Sequence, residues 1–202
     1  FVEETDIPVI KDVQIPDNCP PMKLNEIEMN SEIRKSTNIS EFDRVLGSGI
    51  VQGSLILIAG DPGIGKSTIL LQTSGELCKN NKKVLYVSAE ETAGQIKLRA
   101  ERLGVKSDNL YIYPQTNLEL IKKHIEEMKP DLVIVDSIQA VYTSAIQSSA
   151  GSVSQIRECC NTLMQIAKTQ NISIIVIGHV TKEGNIAGPK VCLLYTSPSP
   201  RD

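Results

Sequence analysis

The 202-residue sequence is short of several features that would have decided its class at once. No apolar run approaches the roughly 18 residues of a membrane span, and nothing resembles a secretory signal. The five cysteines, at positions 19, 78, 159, 160 and 192, form no C-x-x-C pair, and two are adjacent in a helical pattern. This argues against a zinc or disulfide framework and for thiols in the reducing cytosol, so a cytoplasmic protein with no membrane partner is expected. A net charge of −3 and a pI near 5.5 give no global basic footprint for nucleic acid, which leaves only local basic segments. An initiating methionine is lacking too, since the chain opens at Phe1, and a missing native start is expected.

What is present is periodic. Residues 1–38 mix Pro8, Pro16, Pro20 and Pro21 with charges and show no sustained period, which reads as a linker or lead-in. From Ser54 onward, short apolar runs alternate with longer amphipathic ones. Strands are predicted at 55–59, 83–87, 110–113, 132–135 and 172–177, and helices at 66–79, 92–103, 118–128 and 153–169. Strands apolar on both faces and separated by helices imply an α/β fold with a mostly parallel, doubly covered sheet. In such a sheet the chemistry gathers at the carboxyl edge. The last eleven residues, CLLYTSPSPRD, break this grammar and resemble a translated adapter read-through, so 192–202 are expected to be a non-native tail.

The segment GDPGIGKS, 60–67, fits G-x-x-x-x-G-K-[ST] and lies between a predicted strand and a predicted helix. Its glycines allow successive N–H groups to turn inward, and the helix adds its positive end. The nucleotide-binding residues are therefore Gly60, Asp61, Pro62, Gly63, Ile64, Gly65, Lys66, Ser67 and Thr68. Lys66 reaches the β- and γ-phosphates, and Ser67 ligates Mg²⁺. In LVIVDS, Asp136 ends a strand at the same edge, where a carboxylate can hold the metal's water shell. Ser137 either orients that shell or starts the next turn. SAEET places Glu90 and Glu91 beside the nucleotide. They are a water-positioning carboxylate and its helper, or two acids favoured by a helix amino terminus. His179 closes the last strand, as a structural residue or as a γ-phosphate sensor leading into VTKEGNIAGPK.

Two loops could meet a polymer. Residues 143–152 are small and polar, and 180–190 carry Lys182 and Lys190, but neither has an aromatic to stack on bases. His124 reads as a surface residue, and Cys78, Cys159 and Cys160 as helix packing.

With EFDRVLGSGIVQGSLILIAGDPGIGKSTILLQ, VLYVSAEE, RAERLG, LVIVDSIQ, SSAGSVSQIRE and GHVTKEGNIAGPKV in view, residues 33–191 resemble the RadA/Sms family of bacterial RecA-like DNA repair ATPases. The resemblance implies a RecA-like P-loop core over 39–191. It implies ATP and Mg²⁺ as cofactors, with Lys66, Glu90 and His179 catalytic and Ser67 and Asp136 on the metal. It also implies a homo-oligomeric, hexameric ring that binds single-stranded DNA and drives branch migration of recombination intermediates beside a RecA-type recombinase, with Lys182 and Lys190 facing DNA. Ser48 stands where the family has a glycine, and a serine there is expected to be tolerated. The family's four-cysteine Zn²⁺ module, its Lys-Asn-Arg-Phe-Gly motif and its Lon-like domain are not in the sequence. An incomplete core is expected, with a sheet truncated on its C-terminal side that binds ATP better than it hydrolyses it. Two alternatives stay open: a KaiC-like regulatory ATPase ring, and a nucleotide-binding fragment without turnover.

Overall fold

In the computed structural model, Lys23 and residues 34–179 are described. The chain divides into units 1–30 and 31–202, and residues 34–179 belong to the second. The centre of that unit is a five-stranded sheet of β3 (Leu55–Gly60), β4 (Val84–Ser88), β5 (Leu110–Pro114), β6 (Leu132–Asp136) and β7 (Ser173–His179), in the order β3-β7-β6-β4-β5. Every pairing within it is parallel. The connecting helices are α2 (Lys66–Lys79), α3 (Ala93–Arg102), α4 (Leu118–Met128) and α5 (Val153–Gln170).

The apolar runs are continuous because alternate residues serve opposite layers. Leu55, Leu57, Leu85, Val87, Val133, Val135, Ile174 and Val176 pack with α4 and α5. Ile56, Val84, Tyr86, Leu132, Ile134, Ile175 and Ile177 pack with α2 and α3. The cysteines read as packing do pack: Cys159 and Cys160 lie in the first layer, Cys78 in the second, all as buried thiols. Burial, then the charges of Glu119 and Glu158, push the Cys159 thiol up to about 12, where it stays protonated. His124 is partly exposed and sets its ring edge-on to Tyr113, with centroids 4.7 Å apart.

The boundary expected at residue 38 falls inside the fold. β1 (Arg34–Lys35) pairs antiparallel with β2 (Ile50–Val51), and α1 (Ser40–Val45) lies between them. Elements this short carry too few residues for a hydrophobic period, and side-chain polar contacts hold them. Asp43 accepts from Ser36 Oγ at 2.5 Å, Thr37 N at 2.8 Å and Thr37 Oγ1 at 2.7 Å. Burial alone would raise the Asp43 pKa, but these hydrogen bonds outweigh it and hold the carboxyl below the usual range. Lys35 Nζ meets Asp131 at 3.0 Å and ties β1 to the start of β6.

The turn between α1 and β2 runs through three consecutive left-handed residues, Gly47, Ser48 and Gly49. Gly49 has no alternative, because a Cβ there would lie 2.6 Å from the Lys35 carbonyl oxygen. Ser48 is tolerated at φ 82°, but under strain that a glycine would relieve. We expect Ser48→Gly to raise stability by roughly 0.5–1 kcal/mol, read from the urea midpoint at unchanged slope. A depressed native pKa contributes stability above the unfolded value near pH 4 that is lost as pH falls through the native one. Asp43→Asn is therefore expected to cost about 1–2 kcal/mol at pH 7 and to flatten the loss of stability below about pH 4, measured by denaturation across pH.

Candidate functional site

Strand register assembles the site before any loop is considered. Gly60 pairs with His179, and Ser88 pairs with both Asp136 and Pro114, so the ends of β3, β7, β4, β6 and β5 form one carboxyl edge. A cleft of about 320 Å³ opens there. Of the residues singled out in the sequence, Gly63, Gly65, Lys66, Ser67, Thr68, Glu90, Asp136 and His179 line it. Gly60, Asp61, Pro62 and Ile64 build the loop without lining the cleft itself.

The loop turns into α2 at Gly65, which is left-handed at φ 100° and caps the helix without a side-chain partner. No acidic residue occupies the first turn of α2, so its unclaimed N–H groups and positive end are left for an anion. Lys66 is 8% exposed, and its Nζ donates to the carbonyls of Gly60 at 2.7 Å and Asp61 at 2.8 Å. Burial lowers its pKa, against the opposing charges of Asp136, Asp61 and Glu90. The ammonium is thus held by the loop's own oxygens, with Asp136, Asp61 and Glu90 near enough to act on it electrostatically.

Asp136 is buried, and its Oδ2 accepts a 2.7 Å hydrogen bond from the hydroxyl of Tyr86. Burial first, then the Asp136 charge, push the Tyr86 phenol well above the usual tyrosine range, so it remains a donor. Ser67, at the start of α2, lines the same cleft as Asp136. One carboxylate and one hydroxyl leave most of an octahedral shell to water and phosphate, which suits Mg²⁺. Among the described residues no group of three or more His, Cys, Asp or Glu side chains could hold a metal, so a site closed entirely by protein does not fit there.

Glu90 and Glu91, adjacent in sequence, have different surroundings. Ser137 Oγ donates to Glu90 Oε1, and His179 Nε2 lies 3.4 Å from the same oxygen. Glu91 Oε1 instead receives Arg99 Nη2 at 2.5 Å, so Glu91 is engaged by α3 rather than by Glu90. Neither acid lies in the first turn of α3, which is closed by a Thr92–Gln95 capping box and contains no acidic residue. Ser137 precedes the 3-10 turn Ile138–Ala140, as one of its two anticipated places required, and its hydroxyl is engaged by Glu90, a partner the sequence did not suggest. Gln139 in that turn donates to the His179 carbonyl at 3.4 Å.

Sequence reading missed Tyr86, Ser88, Arg99 and Gln139. Tyr86 is hidden in an apolar run and Arg99 in an amphipathic helix. Ser88 stood unremarked at the head of SAEET, and Tyr86, Arg99 and Gln139 were contained only in the family strings VLYVSAEE, RAERLG and LVIVDSIQ.

Of the two loops considered as candidates to meet a polymer, 180–190 lies outside the described residues, and with it Lys182 and Lys190. The other is firmly tied. Gln155, 1% exposed, donates from Nε2 to the carbonyls of Thr143 at 3.0 Å, Ile146 at 3.3 Å and Ser148 at 2.8 Å, and accepts from Thr143 N at 2.9 Å. Glu119 Oε1 accepts from Thr143 Oγ1 at 2.6 Å and from Ser144 N at 3.0 Å. A larger hollow of about 550 Å³, bounded in part by Lys35, Asp131 and Asn171 near the amino ends of β6 and β7, contains none of the predicted site residues.

The AAA domain family matches residues 26–185. The chain is 59% identical over 168 residues to the DNA repair protein RadA of Listeria monocytogenes, covering 83% of this chain and 37% of that protein. It is 54% identical over 171 residues to the DNA repair protein RadA of Bacillus subtilis, covering 85% and 37%. It is 51% identical over 194 residues to the DNA repair protein RadA of Streptococcus pyogenes serotype M6, covering 95% and 43%. The chain thus spans about two fifths of the length of these relatives. Among the described residues no helix is long and apolar enough to cross a membrane.

Gln155→Ala leaves buried backbone groups unpartnered and is expected to cost about 2–3 kcal/mol. The Thr143 amide should then exchange with deuterium much faster than in the wild type, while amides in β6 slow or quicken only with global stability.

Proposed function

The chain belongs to the AAA-domain family of P-loop ATPases, and on that premise we propose that it is the ATP-hydrolysing core of a RadA-type DNA repair protein. The observation that carries this reading is the convergence, at one sheet edge, of a phosphate loop with Lys66 and Ser67, a buried Asp136, and a Glu90 carboxylate held by Ser137 and His179.

In this reading the triphosphate lies along 60–67 over the amino end of α2, and Lys66 exchanges the Gly60 and Asp61 carbonyls for β- and γ-phosphate oxygens. Ser67 and Asp136 hold Mg²⁺, the latter through water. When bound, the metal neutralises charge on the phosphate oxygens. Glu90 orients the attacking water and accepts its proton, while Ser137 and His179 fix the direction of its carboxylate. His179 joins that carboxylate to the chain beyond β7. Loss of the γ-phosphate is thereby transmitted into 180–190, where Lys182 and Lys190 contact DNA phosphates. A homo-oligomeric ring on single-stranded DNA, acting on recombination intermediates with a RecA-type recombinase in the cytoplasm, completes the proposal. In it the core begins by β1 at Arg34, the residues before it lead into that core, and the core continues to about 191.

Glu90→Gln is expected to keep ATP binding within a fewfold of wild type and to lower turnover by about 100-fold or more. Equilibrium binding of a fluorescent ATP analogue and phosphate release measure the two. Turnover unaffected by Glu90→Gln removes the catalytic assignment. Turnover that responds to neither single-stranded DNA nor salt removes the DNA part of the reading.

A further inference from the structure

Tyr86 has no exposed surface and lies in the layer between the sheet and α2, among Leu70, Leu71, Ile134 and Ile177. A phenylalanine would fill the same space, so packing does not account for the hydroxyl. That hydroxyl is a polar atom in an apolar layer, which is costly without a partner. Its partner is not a backbone carbonyl but Asp136 Oδ2, at 2.7 Å across fifty residues of sequence. Arg99, held by Glu91, is close enough to act on the same phenol electrostatically.

We propose that Tyr86 is a positioning residue for the metal: from beneath the cleft its hydroxyl holds the Asp136 carboxylate in one orientation before metal or nucleotide arrives. The proposal rests on the reading of the cleft as an Mg·ATP site. A carboxylate on a strand end can turn about its terminal bond, and either oxygen can face the cleft. Engagement of Oδ2 by the phenol removes that freedom and leaves Oδ1 for metal-bound water. Such supports of a metal site act on metal affinity while leaving the ligand set unchanged.

The test uses Tyr86→Phe in the 202-residue protein, with binding of a fluorescent, non-hydrolysable ATP analogue followed as Mg²⁺ is titrated up from an EDTA-treated start. The expected result is metal-free affinity within about twofold of wild type and a half-saturating Mg²⁺ concentration raised about tenfold. A folded Tyr86→Phe protein with the wild-type Mg²⁺ requirement overturns the proposal, as does one that loses metal-free binding to the same extent. Asp136→Asn, measured alongside, separates this failure from failure of the site reading. If wild-type binding does not respond to Mg²⁺, or Asp136→Asn leaves the response intact, the reading of the cleft and the proposal both fall. If Tyr86→Phe does not fold, wild-type protein carrying fluorotyrosine gives the same information. The Tyr86 fluorine resonance shifts when Mg²⁺ is added to the nucleotide-loaded protein, and an unmoved resonance overturns the proposal.

Discussion

Parallel pairing in fixed register is the constraint on which the rest of this molecule depends. Because β3, β7, β6 and β4 are locked to one another by side chains buried on both faces, a one-residue slip would move every apolar side chain into the wrong layer. The same lock places Gly60 beside His179 and Ser88 beside Asp136. The positions of the 60–67 loop, the Asp136 carboxylate and Glu90 are thus by-products of core packing. Their side chains need only be supplied at strand ends that the core has already aligned.

Polar contacts then refine what packing places. Glu90 and Glu91 leave the same strand end, but Ser137 and His179 claim one and Arg99 the other. Tyr86 does for Asp136 what Ser137 does for Glu90, from the dry side of the sheet rather than from the cleft. A small set of hydroxyls therefore separates the roles of carboxylates that sequence alone leaves equivalent.

The sheet and its four long helices were legible in the sequence because each spans enough residues for its period to show. Helices 66–79 and 118–128 coincide with the observed bounds. The strands were read short at their carboxyl ends, since Gly60, Ser88, Asp136 and His179 interrupt the apolar runs that revealed them. The polar residues that end the pattern are the ones that line or frame the cleft. α1 and the β1–β2 pair escaped notice because hydrogen bonds to Asp43 and a left-handed turn, not periodicity, hold them. Tyr86 could not be singled out, because an aromatic in a buried strand looks like core until the partner of its hydroxyl is known.

Lys66 rests on the oxygens of its own loop, at 2.7 and 2.8 Å from the Gly60 and Asp61 carbonyls. Its ammonium has therefore already been stripped of most of its water by folding. A nucleotide arriving at this cleft exchanges two neutral oxygens for charged ones around an unchanged, dehydrated cation. Much of the dehydration that usually weakens charge pairing is thus a cost of the fold, separate from the binding step. The loop in this sense supplies its own internal partner to Lys66, at the carbonyls of Gly60 and Asp61.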